Sequence, residues 1–131
     1  MNPRSSRSAS ASGERSRWTL LLRAIFWATL LAVLVLATLP HPPHVPFEPS
    51  DKVQHFAAFL CLMLLGAAAY PRLSLVKLML AMVLFGGLIE ALQAIPAINR
   101  DSDWRDWLVD VAATLCVLLA LLAWRTLRKK A

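Results

Sequence analysis

The chain alternates four long apolar stretches with short polar or basic segments. Each stretch holds about 20 residues, which is the length an α-helix needs to cross roughly 30 Å of hydrocarbon. None of them carries the polar stripe of a helix on the surface of a soluble protein. The pattern therefore predicts an all-α fold, an integral membrane bundle of four transmembrane helices. These helices are expected at about residues 18–39, 53–70, 75–95 and 107–124.

Composition supports the same class. The hydrophobic set makes up 58% of the chain and the mean hydropathy is +0.57, values too apolar for an ordinary soluble domain of this length. Cys61 and Cys116 both fall within apolar stretches and give neither a disulfide framework nor a metal-ligand spacing. The sequence has no nucleophile elbow, P-loop or glycine-rich dinucleotide turn, so it predicts no cofactor and argues against a serine hydrolase.

The segments outside the spans are polar and differ in character. Residues 1–17 are rich in Ser and Arg and are expected to form a disordered basic arm, while residues 125–131 form a basic tail. The connection between the first two spans contains five prolines and is expected to be extended. Its two histidines, His41 and His44, are expected to be solvated loop residues rather than metal ligands.

The net charge of +6 reports on topology. Basic residues precede the first span, recur in the second connection as Arg72 and Lys77, and fill the tail. The first and third connections mix basic and acidic residues. By the positive-inside rule both termini are expected in the cytoplasm, with the first and third connections outside. The charge therefore predicts no nucleic-acid partner.

With this topology, a set of polar side chains collects at the outer end of the bundle. On the second, third and fourth spans these side chains recur three or four residues apart, which places them on one helical face. Arg100, in the third connection, carries a planar guanidinium able to clamp carboxylates. The predicted cluster consists of Asp51, His55, Glu90, Gln93, Arg100, Asp106 and Asp110.

Glu90 is the member of this cluster that most needs a partner. It lies about one and a half turns inside the third span, where a charge without a partner is unfavourable. Arg100 is its first expected partner and His55 its second. Three interpretations stay open: a structural clasp that fixes helix register, a cleft for a ligand or substrate, and a metal site. No compact ligand motif such as H-E-x-x-H is present, so no metal is predicted.

The same residues carry a family resemblance. In order and spacing, they resemble the VanZ-like family of small bacterial membrane proteins over residues 48–122. The matching positions are Asp51-Lys52-x-x-His55-Phe56-x-x-Phe59, Gly86-x-x-Ile89-Glu90-x-x-Gln93, Pro96, Arg100, Asp106 and Asp110. Two positions depart from the family pattern, which usually has Asn where this chain has Asp110 and Gly where it has Ala113.

The resemblance implies a multi-pass protein of the bacterial inner (cytoplasmic) membrane and a link to the cell envelope, because some members are associated with reduced susceptibility to the glycopeptide teicoplanin. It supplies no reaction. The leading hypothesis is an outward-facing polar cleft that binds a lipid-linked or cell-wall ligand, or a membrane-protein partner. The small size of the chain also favours a homodimer, in contact with membrane lipids.

Two further function classes stay open. A membrane enzyme could carry out acid/base chemistry on a lipid headgroup, with Glu90 or Asp106 as base and His55 as proton carrier. No activated nucleophile is evident, so the sequence leans away from catalysis. A small transporter is disfavoured because the first span has no acid and the polar groups lie at one end of the bundle rather than at its midplane.

Overall fold

The computed structural model describes residues 3–40 and 49–130, with side chains in the first helix described for residue 14 and from residue 16 onward. Four α-helices follow one another: α1 (Pro3–Thr38), α2 (Asp51–Ala69), α3 (Leu75–Gln93) and α4 (Trp104–Lys130). A short 3-10 helix, Pro96–Ile98, lies between α3 and α4. The described residues contain no strand.

Each helix is long and apolar enough to cross a membrane. The segments that meet this condition are Ser16–Thr38, Asp51–Ala69, Leu75–Gln93 and Trp104–Lys130. The prediction of an all-α bundle with four such helices is therefore confirmed. Large apolar side chains such as Leu84, which is 74% exposed, point outward from these helices. An apolar exterior of this kind suits a hydrocarbon environment.

Both ends of the chain are more helical than the sequence led us to expect. Helix α1 begins at Pro3, so the backbone of most of the arm expected to be disordered continues the first span. Once the apolar span has formed a helix, adding residues to it avoids a new nucleation step, and this segment has no proline after its first residue. At the other end α4 runs to Lys130, where basic residues complement the helix dipole. Residues 41–48, with His41 and His44, lie outside the described residues.

Helices α2, α3 and α4 form the packed part of the bundle, and α1 lies at its periphery. In the span of α1 only 6% of residues are buried, against 28–39% in the other three. The core is built mainly from Phe59, Leu62, Met63, Ile89 and Ala113. Gly66 permits the close approach of α1 and α3 to α2, because a β-carbon there would lie 2.9 Å from a methyl of Leu78.

The connection from α2 to α3 is short, and α1 is tied to it by polar contacts. Arg23 donates to the carbonyl of Ala69 (3.3 Å), and its guanidinium stacks 4.9 Å from the ring centroid of Tyr70. Trp27 donates its indole N–H to the Tyr70 hydroxyl (2.8 Å). These contacts lie at the end of the bundle opposite to the acidic cluster. We call the other end, where α2 and α4 begin and α1 and α3 finish, the polar end.

Candidate functional site

A buried imidazole–carboxylate pair joins α2 to α4 at the polar end. The Nδ1 atom of His55 lies 3.1 Å from Oδ1 of Asp110. The Asp110 side chain is fully buried and the His55 side chain is 8% exposed. Burial makes each polar group depend on the other, because neither can exchange its partner for bulk water. The hydrogen bond at Nδ1 fixes the plane of the imidazole ring.

Helix α3 contributes the space in which Asp110 sits. A β-carbon on Gly86 would lie 2.7 Å from Oδ2 of Asp110, so only glycine fits at this position without movement. Trp107, one turn earlier on α4, donates its indole N–H to the carbonyl of Val83 (3.0 Å) and holds α4 against α3. The Oδ2 atom of Asp110 is buried without a hydrogen-bond partner among the described residues.

Lys52 joins the first turn of α2 to the start of α4. Its ammonium group contacts Asp106 at 2.8 Å and Asp103 at 3.0 Å. The Asp106 side chain is almost fully buried, at 5% exposed, whereas Asp103 is accessible. Lys52 was absent from the predicted cluster because it neighbours Asp51 and helical spacing places it on a different face. Its position within the Asp51-Lys52-x-x-His55 run was the signal that could have indicated it.

Asp103 also caps α4. Its Oδ1 accepts the backbone N–H of Arg105 (3.0 Å), and its carbonyl accepts that of Asp106 (2.7 Å). The hydrogen bond from Arg105, together with the ammonium group of Lys52, lowers the pKa of the Asp103 carboxyl below its ordinary value. A capping aspartate satisfies backbone donors that a helix start leaves unpaired. This residue therefore fixes where α4 begins and, with it, the position of Asp106.

Among the described residues, Glu90 makes no hydrogen bond or ion pair with either of its expected partners, Arg100 and His55. Its Oε2 accepts a hydrogen bond from the hydroxyl of Ser102 (2.8 Å), and its Oε1 is buried without a partner among the described residues. Arg100, in the third connection, instead places its Nη2 atom 3.8 Å from Oδ1 of Asp51, the first residue of α2. The reason is local: Asn99 adopts a left-handed conformation (φ 52°) that turns the chain just before Arg100. The spacing of residues along the sequence does not predict such a turn.

Gln93 also departs from the predicted cluster. It is buried, and its amide donates to the carbonyl of Ala37 (2.9 Å) in the last turn of α1. The last carbonyls of a helix have no partner within the helix, so this hydrogen bond satisfies one of them. At about 100° per residue, Gln93 is rotated roughly 60° from Glu90, which is enough to face a different neighbouring helix. Gln93 thus joins α3 to α1 and makes no hydrogen bond to another member of the cluster among the described residues.

Three of the predicted residues come together closely. One ligand-type atom from each of Asp51, His55 and Asp106 lies within 4.8 Å of the other two. Asp51 is exposed, while His55 and Asp106 are buried. Imidazole nitrogen and carboxylate oxygen can accept protons or bind a metal ion. Glu90 lies within electrostatic range of His55 and Asp106, so it belongs to the same charged region.

Carboxyl groups outnumber basic groups in this region. Among the described residues, the permanent cations that contact the cluster's carboxylates are Lys52 and Arg100. An excess of carboxylate in a partly dehydrated setting favours a bound cation, or a ligand that brings positive charge. The carboxylates involved are Asp51, Glu90, Asp103, Asp106 and Asp110.

Comparison with known proteins gave no match to a family model, to a curated protein or to a solved structure. Membership of the VanZ-like family therefore stays a prediction that rests on the motif residues. The class that the structure itself defines is a multi-pass helical membrane protein with a partly buried acidic cluster at one end.

Proposed function

We propose that this chain is a VanZ-like protein of the bacterial cytoplasmic membrane whose polar end binds the headgroup of a lipid-linked cell-envelope ligand. Both termini lie in the cytoplasm in this proposal, so the polar end faces outside. The alternation of basic segments along the chain supports this orientation. The resemblance over residues 48–122 supports the family and the envelope location.

The observation that carries the proposal is the set of polar groups left without partners at the polar end. Among the described residues, the buried side-chain atoms lacking a hydrogen bond are Oε1 of Glu90, Nε of Arg100 and Oδ2 of Asp110. Buried polar groups in proteins are almost always satisfied, so each of these atoms calls for a partner, which can be water or a ligand group. A clasp built only for stability would pair these atoms with one another. A headgroup at the membrane surface can supply both donors and acceptors to them.

The carboxylates of the cluster limit which headgroups could bind at the polar end. The carboxylates of the cluster favour a ligand with an amine, or an anionic group that arrives with a cation. Lipid-linked cell-wall precursors offer both, because a pyrophosphate joins the lipid to a sugar that carries an amine-bearing peptide. Contact with other membrane lipids is expected around the apolar exterior, and a second copy or a membrane-protein partner could share the ligand.

Retention of a defined probe tests this function. Purified protein in lipid nanodiscs is supplied with a polyprenyl-pyrophosphate-linked disaccharide peptide, and native mass spectrometry counts retained probe. We expect Glu90→Gln and Asp106→Asn each to weaken retention by about tenfold, which corresponds to about 1.4 kcal/mol. Asp101→Asn is the matched control: it removes the same charge from an exposed residue that makes no hydrogen bond or ion pair among the described residues. Equal retention in all four proteins would refute the proposal.

One observation favours a second candidate, a membrane enzyme acting on a lipid headgroup. An imidazole held at Nδ1 by a buried carboxylate, as in the His55–Asp110 pair, is an arrangement that enzymes use for general acid/base catalysis. Incubation of the purified protein with lipid-linked phosphates, with and without divalent metal, checks for product. Release of phosphate that is lost in His55→Gln would establish catalysis; no release in any condition would exclude this candidate.

A further inference from the structure

The polar end also contains a set of side chains suited to a metal ion. We infer that Asp51, His55 and Asp106 form a binding site for a divalent transition-metal or zinc ion. Their ligand atoms lie within 4.8 Å of one another. Tetrahedral ligands at ~2.1 Å from one ion lie about 3.4 Å from each other, so the set must close by up to about 1.4 Å. Asp51 is exposed and can supply part of this movement by changing its side-chain rotamer.

The ligands come from rigid elements. Asp51 and His55 are one helical turn apart in the first turns of α2, a spacing that directs two side chains toward a common point. Asp106 comes from the first turn of α4, where the Asp103 cap fixes the helix start. The site therefore joins two helices whose ends are already held by hydrogen bonds.

A second, independent observation is the burial of Asp110 and its contact with His55. Histidines that bind metals almost always donate the N–H of their other ring nitrogen to a carboxylate, a backbone carbonyl or water, which sets the tautomer and the direction of the ring. Asp110 provides that contact to Nδ1 of His55 at 3.1 Å and is fully buried. Its Oδ2 has no hydrogen-bond partner among the described residues. A divalent cation beyond the imidazole would compensate this buried negative charge, which no lysine or arginine in the described part of the chain contacts directly.

Lys52 is the competitor of the metal ion. Its ammonium group lies 2.8 Å from Oδ1 of Asp106 and would be repelled by a divalent ion bound to that carboxylate. Lys52 also contacts Asp103 and is itself accessible to solvent, so it can retain one partner while it releases the other. This arrangement makes a distinctive prediction, because removing the lysine should tighten metal binding.

The donor set indicates the class of ion. One imidazole nitrogen with two carboxylate oxygens suits Zn²⁺, Mn²⁺ or Fe²⁺, whereas Mg²⁺ and Ca²⁺ prefer oxygen alone. Three protein ligands leave coordination positions open for water or for an anionic group. The metal site does not depend on the proposed headgroup binding. The two proposals would be linked only if the ion and the headgroup contacted each other.

The test uses the full chain, without an affinity tag, stripped of metal in detergent. Isothermal titration with Zn²⁺ alone gives stoichiometry and affinity, with excess Mg²⁺ as competitor. We expect one ion per chain, insensitive to Mg²⁺. Asp51→Asn, His55→Gln and Asp106→Asn should each weaken binding at least about tenfold, and Asp110→Asn should weaken it by about 10–100-fold. Lys52→Gln should bind more tightly than the wild type.

Two control variants show whether zinc binds at this site or elsewhere on the chain. Asp101→Asn removes an exposed acid close to the site in sequence, and a His41→Gln/His44→Gln double variant removes the other histidines of the chain; both should bind like the wild type. If His55→Gln fails to fold, the zinc affinity of Asp51→Asn tests the inference, because this substitution alters an exposed side chain outside the buried core. No binding by the wild type, or unchanged affinity in Asp51→Asn and Asp106→Asn, would overturn the inference. Zinc binding without probe retention in nanodiscs would refute only the headgroup proposal.

Discussion

Gly86 and Asp110 pack so closely that a β-carbon on residue 86 would stand 2.7 Å from Oδ2 of Asp110. The glycine of α3 therefore creates the space in which α4 places a buried carboxylate beside His55. This contact links the packing of the bundle to the chemistry of the polar end, because any change that moves Asp110 also moves the imidazole.

Gly86→Ala should destabilise the protein by about 1–3 kcal/mol, since the added methyl overpacks a contact with no free volume. Thermal unfolding in detergent measures the effect. Gly87→Ala is the matched control, because a β-carbon there meets its nearest atom, Nε1 of Trp107, at 3.6 Å, an ordinary contact distance. Equal thermal midpoints for the two variants would show that the close approach of Asp110 to α3 is not tight.

Asp110→Asn and Asp110→Ala should separate the charge of this residue from its hydrogen bond. The asparagine keeps an acceptor for His55 and removes a buried carboxylate that no lysine or arginine contacts among the described residues, so the thermal midpoint in detergent should stay equal or rise. The alanine leaves His55 without its partner and should cost about 1–3 kcal/mol. A large loss of stability in Asp110→Asn would mean that the charge itself holds the helices together.

Gln93→Leu should loosen α1 without affecting the acidic cluster. The substitution removes the hydrogen bond to the Ala37 carbonyl, and such bonds between helices in bilayers average about 0.6 kcal/mol. A modest decrease in thermal midpoint with unchanged zinc affinity and probe retention is expected. If Gln93→Leu lost either ligand as strongly as Asp106→Asn, the assignment of Gln93 to the α1–α3 contact would be wrong.

The pH dependence of stability tests the lowered pKa of Asp103. Because its pKa is lower in the folded protein than its ordinary value of 3.8, its contribution to stability is fully present above that pH. The contribution is lost as the pH falls through the lower, folded value. Asp103→Asn retains a good capping residue but removes this charge. The variant should therefore show a smaller decrease of thermal midpoint on acidification below about pH 4 than the wild type. Identical pH profiles would contradict a lowered pKa for Asp103.

The sequence predicted the helices well because their signals are local. Apolar length alone indicates the four helices, and spacing alone places Asp51 with His55 on one face of α2. The pairing of Glu90 with Ser102 escaped prediction because it depends on the left-handed turn at Asn99. Gln93 was misplaced because its partner is a backbone carbonyl of α1, which carries no sequence signal. The helical arm was missed because composition describes an isolated segment, whereas here the segment extends a helix already formed.

The central claim is that the acidic cluster is kept for binding rather than for stability, and Glu90 tests it most directly. Its Oε1 is buried without a partner among the described residues, and Gln at this position keeps the hydrogen bond from Ser102 while it removes the charge. The decisive measurement is the thermal midpoint of Glu90→Gln against wild type, in detergent without added ligand or metal. We expect an equal or higher midpoint in the variant. A decrease of several degrees would contradict the claim, because it would show that the Glu90 carboxylate stabilises the bundle.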